Sequence, residues 1–493
     1  MLYIRMFITL IVGLYTSRVV LATLGVEDYG IYSVVGGLVA MIGFLKTSMS
    51  GATCRFLTFE LGRGDAQRLA ETFSSALIVH IGIALIVFLL AETVGLWLLC
   101  NKLIIPEGRM SAAHWVYQCS IICAMFSIIQ VPHNASIIAH EKMEGYAYIE
   151  ILNVTLKLII VYFLVIGNYD KLKLYSILTV VVSGIILLIY HIYCVCHFAE
   201  CYFHWTWDTT ILKPLITFSG WDLYGNASTL ARTQGVNMLV NMFFGAVANA
   251  AVGISTMVQG ILMQFSSNIT TAVRPQIIKS YSVGDINRMS NLVFASSKYI
   301  YLLLLILSLP VLIETHFLLK LWLQIVPEYT VWFTRYMLMF NFFATISFVY
   351  AIGIHATGKV KRISLINGSL YLSVVPFTYI AYKLGGSIYS AFIFNVIAVF
   401  IGCMSNVYTL HIYVNELKVR DFIVKVLIPV LIISVLSLLI SLIPSYYFQE
   451  GWLRFFLTSL ATTISIIALT YISADKQTRK LILQKLHLYA PTR

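Results

Sequence analysis

Charge is what this sequence has least of. Asp, Glu, Lys and Arg make up 11% of 493 residues, and only 21 of those residues are carboxylates. A soluble chain carries about a quarter of its residues as charges to cover its surface, so a soluble fold is excluded. No Gly-x4-Gly-Lys-Ser/Thr loop is present, which excludes ATP hydrolysis by that route. Long connections are missing too. The stretches expected to face outward, at 24–30, 99–111, 167–173, 246–248, 314–330, 384–386 and 444–451, are all short. An enzyme that polymerises or transfers sugars outside a membrane would need a substantial outer loop with paired carboxylates. No enzymatic activity, metal or cofactor is therefore expected. The eight cysteines fit no common zinc spacing. His191, Cys194, Cys196, His197, Cys201 and His204 do cluster. They read either as a loose zinc site or as interfacial side chains in a short linker.

What the sequence has in abundance is apolar length. Hydrophobic residues make up 59% of the chain. Fourteen stretches of roughly bilayer-spanning length fall at 2–22, 31–54, 70–94, 112–134, 147–167, 173–195, 213–242, 247–272, 292–311, 331–355, 362–382, 386–412, 422–443 and 452–472. The pattern predicts an all-α integral membrane protein of about fourteen transmembrane helices. The first stretch begins almost at Met1 and lacks a small-residue cleavage pattern. It is expected to be a retained helix at a start that is open to truncation.

The net charge of +12 would suit nucleic acid if it were clustered, but it follows the spans instead. With the N-terminus inside, 21 Lys and Arg fall on the inner side and 7 on the outer. This asymmetry predicts both termini in the cytoplasm and no nucleic-acid partner. Seven of the eight tryptophans lie near span ends, as an interfacial aromatic belt requires.

The chain also repeats itself at an offset of 220 residues. Gly25 matches Gly245, and Gly64-Asp65-x-x-Arg68 matches Gly284-Asp285-x-x-Arg288. Repeated membrane bundles build two lobes around a central site in transporters. The expected organisation is an N-terminal lobe at 1–197, a linker at 198–212, a C-terminal lobe at 213–413, and a final helix pair with its tail at 414–493. The two Gly-Asp-x-x-Arg stretches lie in inner connections, where Asp65, Arg68, Asp285 and Arg288 are candidates for bracing a cytoplasmic gate or capping helices.

An ionisable group inside a span is costly in lipid and usually faces the bundle interior. Arg18, Lys46, Lys157 and Arg232 are such groups, and together they predict a cationic cavity for an anionic substrate. The alternative for Arg18 and Lys46 is snorkelling to an interface. The seventh span carries Asp222, Asn226, Thr229, Thr233, Asn237 and Asn241 at steps of three and four, which keeps them on one helical face. The eighth adds Gln259 at compatible spacing. The stripe is either a wet cavity wall or a helix–helix seam, and Asp222 is open to a coupling role.

Residues 15–21 (Tyr-Thr-Ser-Arg-Val-Val-Leu) and 24–32 (Leu-Gly-Val-Glu-Asp-Tyr-Gly-Ile-Tyr) resemble the opening of Wzx-type polysaccharide flippases. These belong to the multidrug/oligosaccharidyl-lipid/polysaccharide (MOP) exporter superfamily and are MATE-like. Residues 234–245 and 274–281 are similar to the same family. The resemblance implies two pseudo-symmetric six-helix lobes plus a C-terminal pair, which in related lipid flippases borders a groove for the lipid tail. It implies transfer of an undecaprenyl-pyrophosphate-linked oligosaccharide across a bacterial inner membrane, for O-antigen, capsule or exopolysaccharide synthesis. The expected partners are that lipid-linked substrate, the bilayer and polysaccharide polymerase machinery. By position, the resemblance places Arg18 and Lys46 in the family's cationic cavity. Cation-coupled multidrug efflux on the same fold is the alternative.

Overall fold

The computed structural model describes residues 43–101, 105, 108–164, 170–205 and 208–473, with scattered residues between 5 and 36. Among these residues the elements are helices and no strand occurs. The helices are α1 (Gly43–Arg63), α2 (Ala66–Asn101), α3 (Met110–Ala139), α4 (Met143–Phe163), α5 (Lys171–His197), α6 (209–244), α7 (Val247–Ser282), α8 (Ile286–Ile313), the short α9 (Thr315–Leu323), α10 (Thr330–Thr357), α11 (Lys361–Lys383), α12 (Ser390–Tyr413), α13 (Val419–Tyr447) and α14 (Trp452–Ser473). Eleven described helices are long and apolar enough to cross a membrane. The more polar α1 overlaps the second expected span at 43–54 and runs on to Arg63, and α6 covers the seventh. The first span lies largely outside the described residues, as does the tail after 473. The chain is a multi-pass, all-α membrane protein. One connection differs from its expected form. The stretch 314–330 is not a plain loop, because α9 lies within it.

The repeat is written in the backbone. Gly25 and Gly245 both sit at φ +80°, and Gly64 and Gly284 at +75° and +77°. Glycine adopts this left-handed region without the Cβ penalty that other residues meet. Gly245 makes the sharp break between α6 and α7. The turn after α10 uses Gly358 at φ +76°, whereas the turn between α3 and α4 puts Glu141 at φ +59°. A glutamate there is strained. Its carboxylate is held in place by Lys279 Nζ at 2.9 Å and Gln276 Nε2 at 3.3 Å.

Proximity groups the chain into two compact units. The first comprises Met1–Leu230, Thr271–Asp285 and His355–Gly368. Its core is built from Phe73, Ile137, Tyr190 and Cys194 in one cluster and Leu99, Val116, Tyr117 and Ile121 in another. Segments from the second half of the sequence join this unit through specific contacts. Besides Glu141 with Lys279, Arg55 Nη2 donates to the Ala356 carbonyl at 3.2 Å. The Arg55 guanidinium lies over the Phe56 and Phe59 rings at 4.5 and 4.6 Å. A Cβ on Gly62 would meet the Lys279 Cα at 3.2 Å. These contacts explain why compactness divides α6, α7, α10 and α11.

The second unit comprises Ala231–Thr270, Ile286–Ile354 and Ser369–Arg493. Phe333 stacks on Phe392 at 4.0 Å in its core. Buried Glu314, at the end of α8, accepts from Arg454 Nε of α14 at 3.0 Å. A buried carboxylate needs such a partner, and the pair anchors α14 to α8.

Candidate binding cavity

The first unit contains a cavity of about 370 Å³ walled by α1 to α5 and by Tyr32 and Gly36. Two of the predicted cations meet there. Lys46 enters from α1 and Lys157 from α4. Among the described residues, no carboxylate is in the wall.

The rest of the polar wall follows from helical spacing. On α3, Cys119, Ser120, Cys123 and Ser127 face the cavity; on α5, Ser176, Thr179 and Ser183 do. Steps of three and four align Ser120, Cys123 and Ser127 on α3, with Cys119 four before Cys123, and the three α5 residues along one face. Small residues leave room for a guest. Each hydroxyl donates back into its own helix: Ser120 to Val116 O at 2.7 Å, Ser127 to Ala124 O at 2.9 Å, Ser176 to Leu172 O at 2.9 Å, Thr179 to Tyr175 O at 2.8 Å and Ser183 to Thr179 O at 2.8 Å. Their protons are used locally, so the oxygen lone pairs are what they offer to a guest. The cavity thus offers two ammonium donors and a row of acceptors. That combination fits an oxyanion carrying hydroxyl groups.

The other predicted residues are distributed as follows. Arg18 lies outside the described residues. Arg232 falls in the second unit, where Nη1 donates to Asn395 Oδ1 at 2.7 Å. Its guanidinium lies over Phe340 and Tyr371 at 4.8 and 4.7 Å. Gln259 and Asn341 exchange two hydrogen bonds of 3.1 Å each, which makes this part of the stripe a helix seam. Asp222 sits 3.7 Å from His355 Nε2, and Asn226 Nδ2 donates to the Asp222 carbonyl at 3.0 Å. Thr233 is exposed and Asn237 is half-buried. Asp65 caps α2 by accepting from the Arg68 N–H at 3.0 Å. Arg68, Asp285 and Arg288 are exposed around the two Gly-Asp-x-x-Arg turns.

Several members of the His and Cys cluster have hydrogen-bond partners outside it, and Cys196 is exposed. His133 meets His191 at 3.1 Å, and the Cys194 thiol meets the His133 carbonyl at 3.3 Å. Among the described residues, no three His, Cys, Asp or Glu side chains gather as a metal site. Sequence reasoning missed the hydroxyl rows on α3 and α5. Their signal was available in the 176, 179, 183 spacing.

No protein-family profile matches the sequence, and no curated protein matches it. Solved structures do match by shape. A MATE transporter in its bent conformation superposes with a TM-score of 0.72 at 13% identity, covering 85% of this chain and 94% of that one. An outward-facing multidrug-resistance MATE transporter of the MOP superfamily gives 0.69 at 13%, covering 85% and 95%. A MOP superfamily transporter from Pyrococcus furiosus gives 0.64 at 15%, covering 85% and 95%. That protein is described as having a binding pocket of reversed polarity that suggests a different function. The chain therefore has the MATE-transporter fold.

Proposed function

We propose that this protein is a transporter that moves an undecaprenyl-pyrophosphate-linked oligosaccharide from the inner to the outer leaflet of a bacterial inner membrane. The observation that carries the reading is the carboxylate-free cavity with Lys46 and Lys157 in its wall. Ammonium groups in a low-dielectric site bind phosphate oxygens strongly. The hydroxyl rows then serve as acceptors for sugar hydroxyls. Rocking of the lobes exposes this site to each side of the membrane in turn while the prenyl chain stays in lipid. No covalent bond is made or broken. The product passes to polysaccharide polymerase machinery.

Cation-coupled multidrug efflux is the second reading, favoured by the partly buried Asp222 carboxylate beside His355 and by the multidrug-resistance MATE transporter among the similar folds. Expression in a bacterium lacking its own O-unit flippase separates the two. Restored surface polysaccharide is the expected result. Lys46→Ala and Lys157→Ala should each cut export about tenfold or more at normal protein level, the equivalent of about 1.4 kcal/mol in cargo binding. Full export by both variants would overturn the cationic-site reading. Drug resistance without restored polysaccharide would establish the second reading.

A further inference from the structure

The first unit holds a second, larger cavity that the transport site does not use. It is a groove of about 850 Å³ walled by α2 and the start of α6, with Met49 of α1. Two glycines keep it open. Gly82 of α2 and Gly220 of α6 both line it, and a Cβ built on either meets nothing within 4 Å. The rest of the wall is largely aliphatic, with Ile78, Ile83 and Ile86 on α2 and Ile216 and Leu223 on α6. Ile86 and Ile216 are exposed, so the groove opens to the surroundings of the helices.

One end is polar. Thr209, Lys213 and Thr217 of α6 line it at steps of four, which align them on one helical face. Lys213 is exposed. Among the described residues, no carboxylate lines the groove. Asp208, just before this end, is turned onto Thr210, whose N–H and hydroxyl donate to it at 2.7 and 2.8 Å. From Lys213 to Leu223 the groove follows α6 for about 15 Å, which is about half the thickness of a bilayer core.

We infer that this groove seats one singly charged anionic phospholipid, with its phosphate at Lys213 and an acyl chain between α2 and α6. Three features select that occupant. An aliphatic wall open to its surroundings calls for hydrocarbon. One ammonium flanked by two hydroxyls matches one phosphodiester charge and its oxygens. The length matches a chain that ends near the midplane, which a chain of undecaprenyl length would overrun. On the proposed topology the start of α6 is cytoplasmic, where anionic headgroups attract lysine. The chain also restores the packing contacts that two glycines leave unmade. The lipid is therefore a stabilising partner, whatever the cargo is.

The test uses the purified full chain in detergent, titrated with phosphatidylglycerol or with phosphatidylcholine of identical chains. Native mass spectrometry counts the lipids retained, and thermal unfolding reads their effect on stability. The expected result is one tightly retained phosphatidylglycerol, preferred over phosphatidylcholine about fivefold, the worth of one lysine at an anionic surface. It should raise the midpoint of unfolding. Gly82→Leu combined with Gly220→Leu fills the groove. Both positions have open space beyond the backbone, and leucine favours a helix more than glycine does. The double variant should lose the retained lipid and the response of its unfolding to phosphatidylglycerol. Lys213→Gln leaves the groove open. It should retain a lipid without distinguishing the two headgroups, and it carries the test if the leucine variant does not fold. Equal retention of both lipids by the parent would overturn the inference. So would full retention by the leucine variant, or an undiminished preference in Lys213→Gln. Recovery of a prenyl phosphate in place of phospholipid from the purified parent would also overturn it, and would make the groove part of the cargo's path.

Discussion

Arg109 illustrates how single side chains tie this chain together outside the apolar spans. It donates through Nε to Asp28 at 2.8 Å and through Nη1 to Asp170 at 3.0 Å, joining residues 81 and 61 positions away. The Asp28 hydrogen bond holds the Arg109 guanidinium even more firmly protonated than usual. Partial burial pushes the Asp170 carboxyl up. The Arg109 hydrogen bond and the N–H groups of Lys173 and Leu172 outweigh it, so the net direction is down. A carboxyl lowered in the folded state contributes stability above its unfolded value, about 3.9 for aspartate. That contribution is lost as the pH falls through the lower, folded value. Arg109→Gln should therefore be less stable than the parent from neutral pH down to about pH 4, by about 1 kcal/mol. The gap should close at more acid pH. Thermal unfolding in detergent across that range checks it, and a gap that persists at low pH would show that packing rather than charge is responsible. None of this triad was legible in the sequence, because each partner lies in a different connection and no periodicity links them. Lys46 and Lys157 were legible because an ammonium within an apolar run stands out at once.

The elements show where periodicity stops being informative. The third expected span, 70–94, reads as a plain apolar helix, yet α2 widens into a π turn at Ala91–Gly95 and continues to Asn101. The cause is on α3. Tyr117 Oη donates to the Ala91 carbonyl at 2.6 Å, and that carbonyl also accepts from the Leu96 N–H. A Cβ on Gly95 would meet Tyr117 Oη at 2.1 Å and Cζ at 3.3 Å. The glycine is what admits the hydroxyl. Gly95→Ala should destabilise the protein by about 1–3 kcal/mol through overpacking. Tyr117→Phe should cost about 1 kcal/mol for the lost hydrogen bond. Combined, they should cost clearly less than the sum, since the phenyl ring removes the atom that clashes. Strict additivity in thermal unfolding would refute this account of the π turn. Element existence was legible from apolar length, and so was the turn chemistry of Gly64-Asp65-x-x-Arg68, where glycine supplies the left-handed turn and Asp65 the cap. The π turn was not, because it is imposed by a neighbouring helix. The α6–α7 stripe was legible as a polar face. Its division into a Gln259–Asn341 seam and an Asp222–His355 pair depends on partners roughly 80 to 130 residues away.

At the scale of the whole molecule, the 220-residue repeat was the most legible feature, and it survives as matched backbone torsions at Gly25 with Gly245 and Gly64 with Gly284. The repeat does not determine which segments pack together in the state described here. In the first unit, the ends of α1 and α7 are in close contact. A Cβ on Gly62 would stand 3.2 Å from the Ser282 Cβ, slightly inside the roughly 3.5–4.5 Å that a disulfide requires. Both residues adjoin the Gly-Asp-x-x-Arg turns, so on the proposed topology this contact closes the cytoplasmic end. Alternating access requires it to open in every cycle. Gly62→Cys combined with Ser282→Cys should therefore cross-link on mild oxidation with only a small shift of either helix. Export of surface polysaccharide should fall to background while the disulfide holds and return when it is reduced, with the parent treated identically as the reference. Quantitative cross-linking with undiminished export would mean that α1 and α7 stay together throughout transport. The moving boundary would then have to lie elsewhere, and the two-lobe reading of the repeat would have to give way to one in which the Glu141–Lys279 and Gly62–Ser282 contacts belong to a rigid frame.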